Sequence, residues 1–477
     1  MTAPCDPRLF NSTMITRRFH PVAAATLRPQ TSGSQAFTRA GIEANSVSHE
    51  AGPMNHEAKP MNDSDGGAGG LESGLSAAML ARCARRLRAA ATAPLGPGQT
   101  AAALAGACEA WRDPAYERRK RTLDQVSARS GLGLELLGES LSALLEPFER
   151  TAFQTLAARA PRPSLLLGFI MPGNVVGAGL HEVIQALVAG AAVLIKSAAA
   201  EPFFFAQFAR TVAAADGALG RRIAVTAFAR ERADLSRALA RNCDALVAFG
   251  SDDTIATLRG LTPNLIPFGS RLSGGFVDCD GIAPDRADAL AAAVACDVAL
   301  FEQRGCLSLH HVFVRARRTE LAHGFAALVA RALEGIARRL PAPRALSLGE
   351  GAPLRAAREE ARWRRIGGEP VDLWEGSNFS YSVIFDPATS FRPSPAYRTV
   401  YVSAVAGQAE LERRLAPVKG KLEAFAIYDP HRRCPELALR LKAFGVSHAC
   451  APGQMQSPPL DWPHGRGRLL KHLGYRA

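Results

Sequence analysis

Three absences bound what this 477-residue chain does. It has no run of about 18 or more uninterrupted apolar residues, so no membrane span is expected. The apolar run at Ser164–Ile170 is far too short and reads as a buried strand. Its nine cysteines are odd in number and hold no CxxC pair, which argues against a disulfide framework and a zinc site. No metal is expected, and a reducing cytoplasm fits. No basic region is interleaved with aromatic positions, so the net charge of +13 does not point to nucleic acid. It reads as a solvated basic surface, or as one that attracts phosphorylated cofactors or an acidic carrier protein.

What is present is ordinary for a globular protein: 47% hydrophobic and 21% charged residues, enough for two or three domains. Residues 1–73 stand apart. They are rich in Ala, Ser, Thr, Gly and Pro without periodicity and read as a disordered tail. Asp6 is the one acidic residue in the first 42, a composition that mimics an organellar transit peptide. An over-extended start, with Met54 or Met61 as initiator, is the preferred reading.

From Leu71 to about Ala160 the pattern is helical, with Leu75, Met79, Leu80 and Leu87 near one face and a second helix over Leu132–Leu145. From Pro161 strands and helices alternate: strands at Ser164–Ile170, Ala191–Ile195, Ile223–Phe228 and Ala245–Phe249, helices at Gly179–Val188 and Phe203–Ala215. Such alternation implies a doubly wound parallel sheet, whose ligands bind beyond the carboxyl ends of the strands.

Four motifs carry candidate chemistry, and each taken alone has a structural alternative. Pro172-Gly173-Asn174 follows a strand; its glycine permits close backbone approach and Asn174 can donate to an oxyanion, or it is a plain strand-to-helix turn. Lys196 ends the next strand, where it can reach a ribose or phosphate, or simply snorkel. Gly250-Ser251 opens a helix whose N-terminus suits a phosphate, although Asp252 and Asp253 already serve its dipole. Gly305 lets the chain turn before Cys306, a candidate nucleophile that forms thioesters readily; most cysteines, including Cys83, Cys243 and Cys296, read as buried small hydrophobes.

Order and spacing decide among these. Asn174, Lys196, Gly250 and Cys306 follow one another at 22, 54 and 56 residues. In that order the turn, the strand-end lysine, the Gly-Ser helix start and Phe301-x-Gln303-x-x-Cys306 resemble the aldehyde dehydrogenase superfamily. The stretches Pro172–Glu182, Asp244–Thr254, Gln303–Ser308 and Gly453–Pro459 resemble more closely its acyl-CoA reductase branch of the LuxC type.

The resemblance implies an α/β, aldehyde dehydrogenase-like fold. A helical entry and doubly wound parallel-sheet cofactor domain would span residues 74–275, a second α/β catalytic domain 276–440 and a carboxyl-terminal extension 441–477. It implies Cys306 and Asn174 as catalytic residues and Pro172, Lys196, Gly250 and Ser251 as cofactor-binding ones.

Hydrolytic members of the superfamily carry a Glu-Leu-Gly-Gly stretch. Here the corresponding residues 267–275 hold no carboxylate, so the acyl-enzyme is expected to exchange with a thiol instead of water. Ala199 stands where NAD-specific members often place a glutamate, which allows NADPH as well as NADH. The superfamily's downstream Glu-Phe motif is not evident around Arg398–Tyr401. The expected activity is NAD(P)H-dependent reduction of an acyl-CoA or acyl-carrier thioester to an aldehyde. The expected partners are a homo-oligomer or an acyl-transferring enzyme, with no nucleic acid. An aldehyde-oxidising dehydrogenase and a non-catalytic member of the fold stay open as alternatives. Phe203-Phe204-Phe205 reads as core before acyl channel, and His181, His310 and His311 as structural.

Overall fold

The computed structural model describes residues 75–161, 163–342 and 346–475; the expected disordered tail lies outside the described residues. Five helices come first: α1 (Ala77–Thr92), α2 (Pro97–Arg112), α3 (Glu117–Ser130), α4 (Leu134–Leu145) and α5 (Arg150–Ala158). Ser76 caps α1 by accepting the Met79 N–H at 3.3 Å. Leu80, Ala84, Leu87 and Ala91, spaced by one helical turn, are buried against the first sheet. Met79 departs from the expected face and is 44% exposed, because it sits one residue off that stripe.

The first sheet is built of β1 (Leu166–Ile170), β2 (Ala192–Ser197), β3 (Ile223–Ala227), β4 (Ala245–Phe249) and β5 (Leu265–Phe268). Its order is β3-β2-β1-β4-β5 and every pairing is parallel. The crossovers are α6 (Leu180–Val188), α7 (Phe204–Ala215), α8 (Ala233–Asn242) and α9 (Asp252–Arg259). Every residue of β2 and β4 is buried, which accounts for their near-continuous apolar sequence: a strand covered by helices on both faces needs no polar alternation. The chain winds outward from β1 to β3, then returns to start β4 on the other side of β1, so the strand order reverses between β1 and β4.

The second sheet has the order β12-β11-β6-β7-β10-β9-β8. Its strands are β6 (Leu272–Asp278), β7 (Leu309–Arg315), β8 (Asp372–Glu375), β9 (Ser382–Phe385), β10 (Thr399–Val405), β11 (Leu422–Tyr428) and β12 (His448–Cys450). Only the edge pair β8–β9 is antiparallel. The helices α10 (Pro284–Ala299), α11 (Thr319–Arg339), α12 (Leu348–Ile366) and α13 (Gln408–Leu415) connect these strands. Strand β6 runs through residue 275, so the passage from one sheet to the other falls before Leu272. Phe276, Phe313 and Phe425 fill the core of this half. Among the described residues no helix is long and apolar enough to cross a membrane.

The carboxyl-terminal segment doubles back onto α10 and onto the first half. Asp297 receives the Gly453 and Met455 N–H groups at 2.6 and 3.1 Å. Ser457 donates to the Ala143 carbonyl at 2.8 Å. His181 bonds the Pro458 carbonyl at 3.1 Å, and Gln185 donates to those of Leu460 and Trp462 at 3.0 and 3.1 Å. These fastenings deliver the last helix, α14 (His464–Leu473), against α6 and β5.

Candidate active site

The structure brings the cofactor candidates to one sheet edge. Ile170 of β1 pairs in register with Lys196 of β2 and with Ala248 of β4. Pro172, Lys196, Gly250 and Ser251 therefore emerge together at the carboxyl ends of adjacent strands, beside the reversal of strand order. Lys196 is buried, with its ammonium 5.4 Å from the Phe228 ring centroid. Ser251 caps α9, accepting the Thr254 N–H at 3.3 Å.

Two further features mark this edge, one of packing and one of unmet polarity. A Cβ on Gly173 would come within 2.9 Å of the Ala198 and Ala200 side chains, so glycine alone lets the two turns meet. The Ser197 hydroxyl is buried without a hydrogen-bond partner among the described residues, an unmet polar group where a ribose or phosphate would lie. Glu201, the nearest carboxylate in sequence, is turned to the backbone, accepting the Phe203 and Phe204 N–H groups at 3.1 and 2.8 Å. Burial pushes its carboxyl up to about 7. Phe204 and Phe205 are core residues, as expected.

Cys306 lies on the loop before β7. Three consecutive non-glycine residues ahead of it, Phe301, Glu302 and Gln303, have φ of 58°, 50° and 59°. A facing run, Ala396, Tyr397 and Arg398, has φ of 69°, 52° and 57°. Left-handed backbone at such residues is held by its surroundings. Here Gln303 does much of the holding: it donates to the Leu309 and Thr399 carbonyls at 2.6 and 2.7 Å and accepts from Thr399 N–H and the Ser394 hydroxyl at 3.0 and 2.9 Å. The buried ion pair Glu302–Arg398 joins the same two runs.

Asn174 reaches this loop directly, its amide donating to the Arg304 carbonyl at 2.5 Å. The second N–H of that amide is available for an oxyanion. Ser273 of β6 donates to the Cys306 carbonyl at 2.7 Å, fixing the loop from below. The Arg304 guanidinium is turned away onto Tyr397 and Glu350.

Two residues that the sequence reading missed complete the neighbourhood. His464 places Nε2 3.9 Å from the Cys306 Sγ, and its Nδ1 lies 2.6 Å from the Glu182 carboxylate. Both side chains are buried, at 8% and 3% exposure. Burial pulls the His464 imidazole down, but the Glu182 carboxylate and the Cys306 sulfur outweigh it and hold His464 well above its ordinary value. Burial raises Glu182, and His464 more than offsets this and holds it low. His181, His310, His311 and His448 are instead all pushed down, chiefly by burial. His181 and His310, at about 4, stay neutral and serve packing and backbone, as expected. The other buried carboxylate beside His464, Glu423, is occupied by the Gly465 N–H, the Ser447 hydroxyl and Arg271.

The pair carries a pH signature. His464 is raised from about 6.5, so its contribution to stability is complete below about pH 6.5 and is lost as pH rises through its folded value. Glu182 is lowered, so its contribution is present above its ordinary value near 4.5. A Glu182→Gln variant is expected to lose about 1–3 kcal/mol at pH 6, with the deficit narrowing toward alkaline pH. Urea denaturation at pH 6 and pH 10 checks this, and equal deficits at both would refute it.

Two sheets, parallel but for the edge pair β8–β9, with the candidate cofactor turns at the edge of one and a cysteine loop against the other, make an aldehyde dehydrogenase-like fold. Solved structures agree in fold. A NAD-dependent benzaldehyde dehydrogenase from Corynebacterium glutamicum superposes with a TM-score of 0.61 at 16% identity, covering 83% of this chain and 88% of that one. An aldehyde dehydrogenase from Bacillus cereus in complex with NAD+ gives 0.58 at 13%, covering 79% and 81%.

Residues 139–476 match the model of the acyl-CoA reductase (LuxC) family, and the chain belongs to that family. It is 23% identical over 248 residues to the long-chain acyl-protein thioester reductase of Aliivibrio fischeri, a match covering 51% of this chain and 49% of the relative. The match thus spans about half the length of that curated relative.

Proposed function

We propose that this protein reduces a long-chain acyl thioester to the aldehyde with NADPH, through an acyl-enzyme on Cys306. The observation that carries the reading is the state of the carboxylates around the nucleophile. Glu182 is bound to His464, Glu423 is occupied by three donors, and residues 267–275 supply none. No free carboxylate stands ready to direct water at the acyl-enzyme, so the acyl group persists long enough to be reduced or exchanged with a thiol.

In this reading Cys306 attacks the thioester carbonyl, and Asn174 with the Cys306 backbone N–H stabilises the oxyanion. Lys196, Ser251, Gly250 and the Pro172 turn hold the dinucleotide, which when bound supplies the hydride. NADPH is favoured over NADH because Ala199 and Ala200 leave the β2 turn small, and Glu201 spends its carboxylate on backbone N–H groups. No carboxylate of that turn is left to repel a 2′-phosphate. The name of the Aliivibrio fischeri relative favours a protein-borne acyl group. The donor would then be an acyl-transferring partner enzyme or carrier, and acyl-CoA a chemical equivalent of it. The eight described cysteines are all free, in keeping with a cytoplasmic protein.

The test is product analysis. The protein is incubated with NADPH or NADH and acyl-CoAs of increasing chain length, and the product is trapped as aldehyde or acid. Aldehyde with release of free thiol is expected, fastest with NADPH. Acid formed from aldehyde and NADP+ without any thiol acceptor, and no aldehyde in the forward direction, would overturn the reading.

A further inference from the structure

We infer that His464 is the proton-transfer group of Cys306 and that Glu182 is its positioning residue, so acyl transfer runs on a Cys–His–Glu relay delivered by the carboxyl-terminal segment. The inference rests on the thioester reading above and specifies which groups move its protons.

The geometry is that of a relay and not of a packing histidine. A packing histidine in this protein looks like His181: neutral, against aromatic rings, with a backbone carbonyl as partner. His464 has a carboxylate on Nδ1 at 2.6 Å, which orients the ring and directs Nε2 toward sulfur 3.9 Å away. Trp462 stacks on one face at 4.1 Å and 16°, and Phe268 lies at 4.4 Å. The ring is therefore confined in rotation as well as in position.

The backbone on either side is fastened too. Trp462 Nε1 donates to the Ser447 hydroxyl at 2.9 Å, Ser447 donates to Glu423, and Glu423 accepts the Gly465 N–H at 3.1 Å. Immediately after His464 the chain takes three left-handed residues, Gly465, Arg466 and Gly467, with φ of 57°, 68° and 70°. Arg466 has a side chain and still adopts this conformation, a strain that persists where surrounding contacts impose it.

The protons balance on this relay. The Cys306 thiolate attacks the thioester carbonyl and the Cys306 S–C bond forms. The carrier C–S bond breaks, and the departing thiolate takes the Nε2 proton of His464, which one proton from solvent replaces before reduction because the Glu182 carboxylate favours the imidazolium. After one hydride has been added to the acyl carbon, the oxyanion collapses to the aldehyde. The Cys306 S–C bond breaks and the thiolate returns. The sum is acyl thioester, NADPH and H+ giving aldehyde, carrier thiol and NADP+.

The test separates the relay from the substrate. Alkylation of Cys306 by iodoacetamide is followed from pH 5 to 10 in the parent, His464→Asn and Glu182→Gln. The parent is expected to react faster than either variant at pH 6.5. In His464→Asn the rate at pH 6.5 should fall by up to about 100-fold, since an unassisted thiol near pKa 8.5 is only about 1% ionised there. Glu182→Gln, nearly isosteric, should lose about tenfold, which tests the relay even if His464→Asn fails to fold. Single-turnover acylation by an acyl-CoA without reductant should slow in parallel, while NADPH binding holds at the parent value. An alkylation profile unmoved in both variants overturns the relay, whatever the acylation result. A parent that no thioester acylates, with the alkylation profile moved as expected, instead overturns the thioester reading and leaves the relay standing.

Discussion

A Cys306→Ala variant is expected to bind NADPH as the parent does, to take up no acyl label and to lose aldehyde formation by roughly 10⁴-fold or more. The loss should be that large because, among the described residues, no other cysteine lies on the loop between α10 and β7. Burial pushes Cys108, Cys243 and Cys279 up, the last two to about 12, and keeps their thiols protonated and shielded. The fold should be spared. Cys306 is half-buried, and the hydrogen-bonding contact of its sulfur is with His464, which keeps Glu182 as a partner when the sulfur is removed. A change in stability within about 1 kcal/mol is expected. Incubation with radiolabelled acyl-CoA, followed by denaturing electrophoresis and hydroxylamine release, reads the acyl-enzyme directly. Hydroxylamine-labile label retained on Cys306→Ala would remove Cys306 from the mechanism.

The parts of this site that are visible in sequence are those set by local backbone chemistry. Strands β1, β2 and β4 show as short apolar runs because both faces are covered. Their ends show as Pro172-Gly173, Lys196 and Gly250-Ser251 because a turn at a strand end needs small or polar residues. Cys306 is legible through its order behind them.

The relay is not legible in this way. His464 stands 158 residues from Cys306 and 282 from Glu182, and no periodicity connects them. One mark exists. Glu182 interrupts a helix whose neighbours Leu180, Val183, Ile184 and Leu187 are all buried, and a carboxylate on such a helix requires a buried partner. Which partner depends on the tertiary path of the carboxyl-terminal segment. The left-handed runs at residues 301–303 and 396–398 are hidden for the same reason. Nothing in Phe-Glu-Gln or Ala-Tyr-Arg marks positive φ, and the Glu302–Arg398 pair that ties the runs together closes over 96 residues.

That pair yields the largest expected effect on stability. Arg398 is fully buried, donating to the Leu340 carbonyl at 2.7 Å and to Glu302. Glu302 is 1% exposed. Burial raises the Glu302 carboxyl, and the pull of Arg398 does not fully offset it, the mark of an ion pair whose desolvation outweighs its attraction. Arg398→Met should therefore destabilise by about 3–5 kcal/mol, because a buried carboxylate is left without its cation.

The double variant Glu302→Leu/Arg398→Met should recover much of this loss, since two apolar side chains remove the uncompensated charge. Activity should not recover with it. Without the pair, Glu302 and Arg398 no longer bind the two left-handed runs together, and the nucleophile loop is freer to relax toward ordinary backbone conformations. A displacement of Cys306 by about 1 Å suffices to cost roughly 100-fold in rate. Denaturation midpoints and acylation rates measured on the parent, the single and the double variant separate the two effects. An unchanged midpoint in Arg398→Met would exclude the pair as a support. Full activity in the double variant would show that Gln303 and its four hydrogen bonds hold the loop alone.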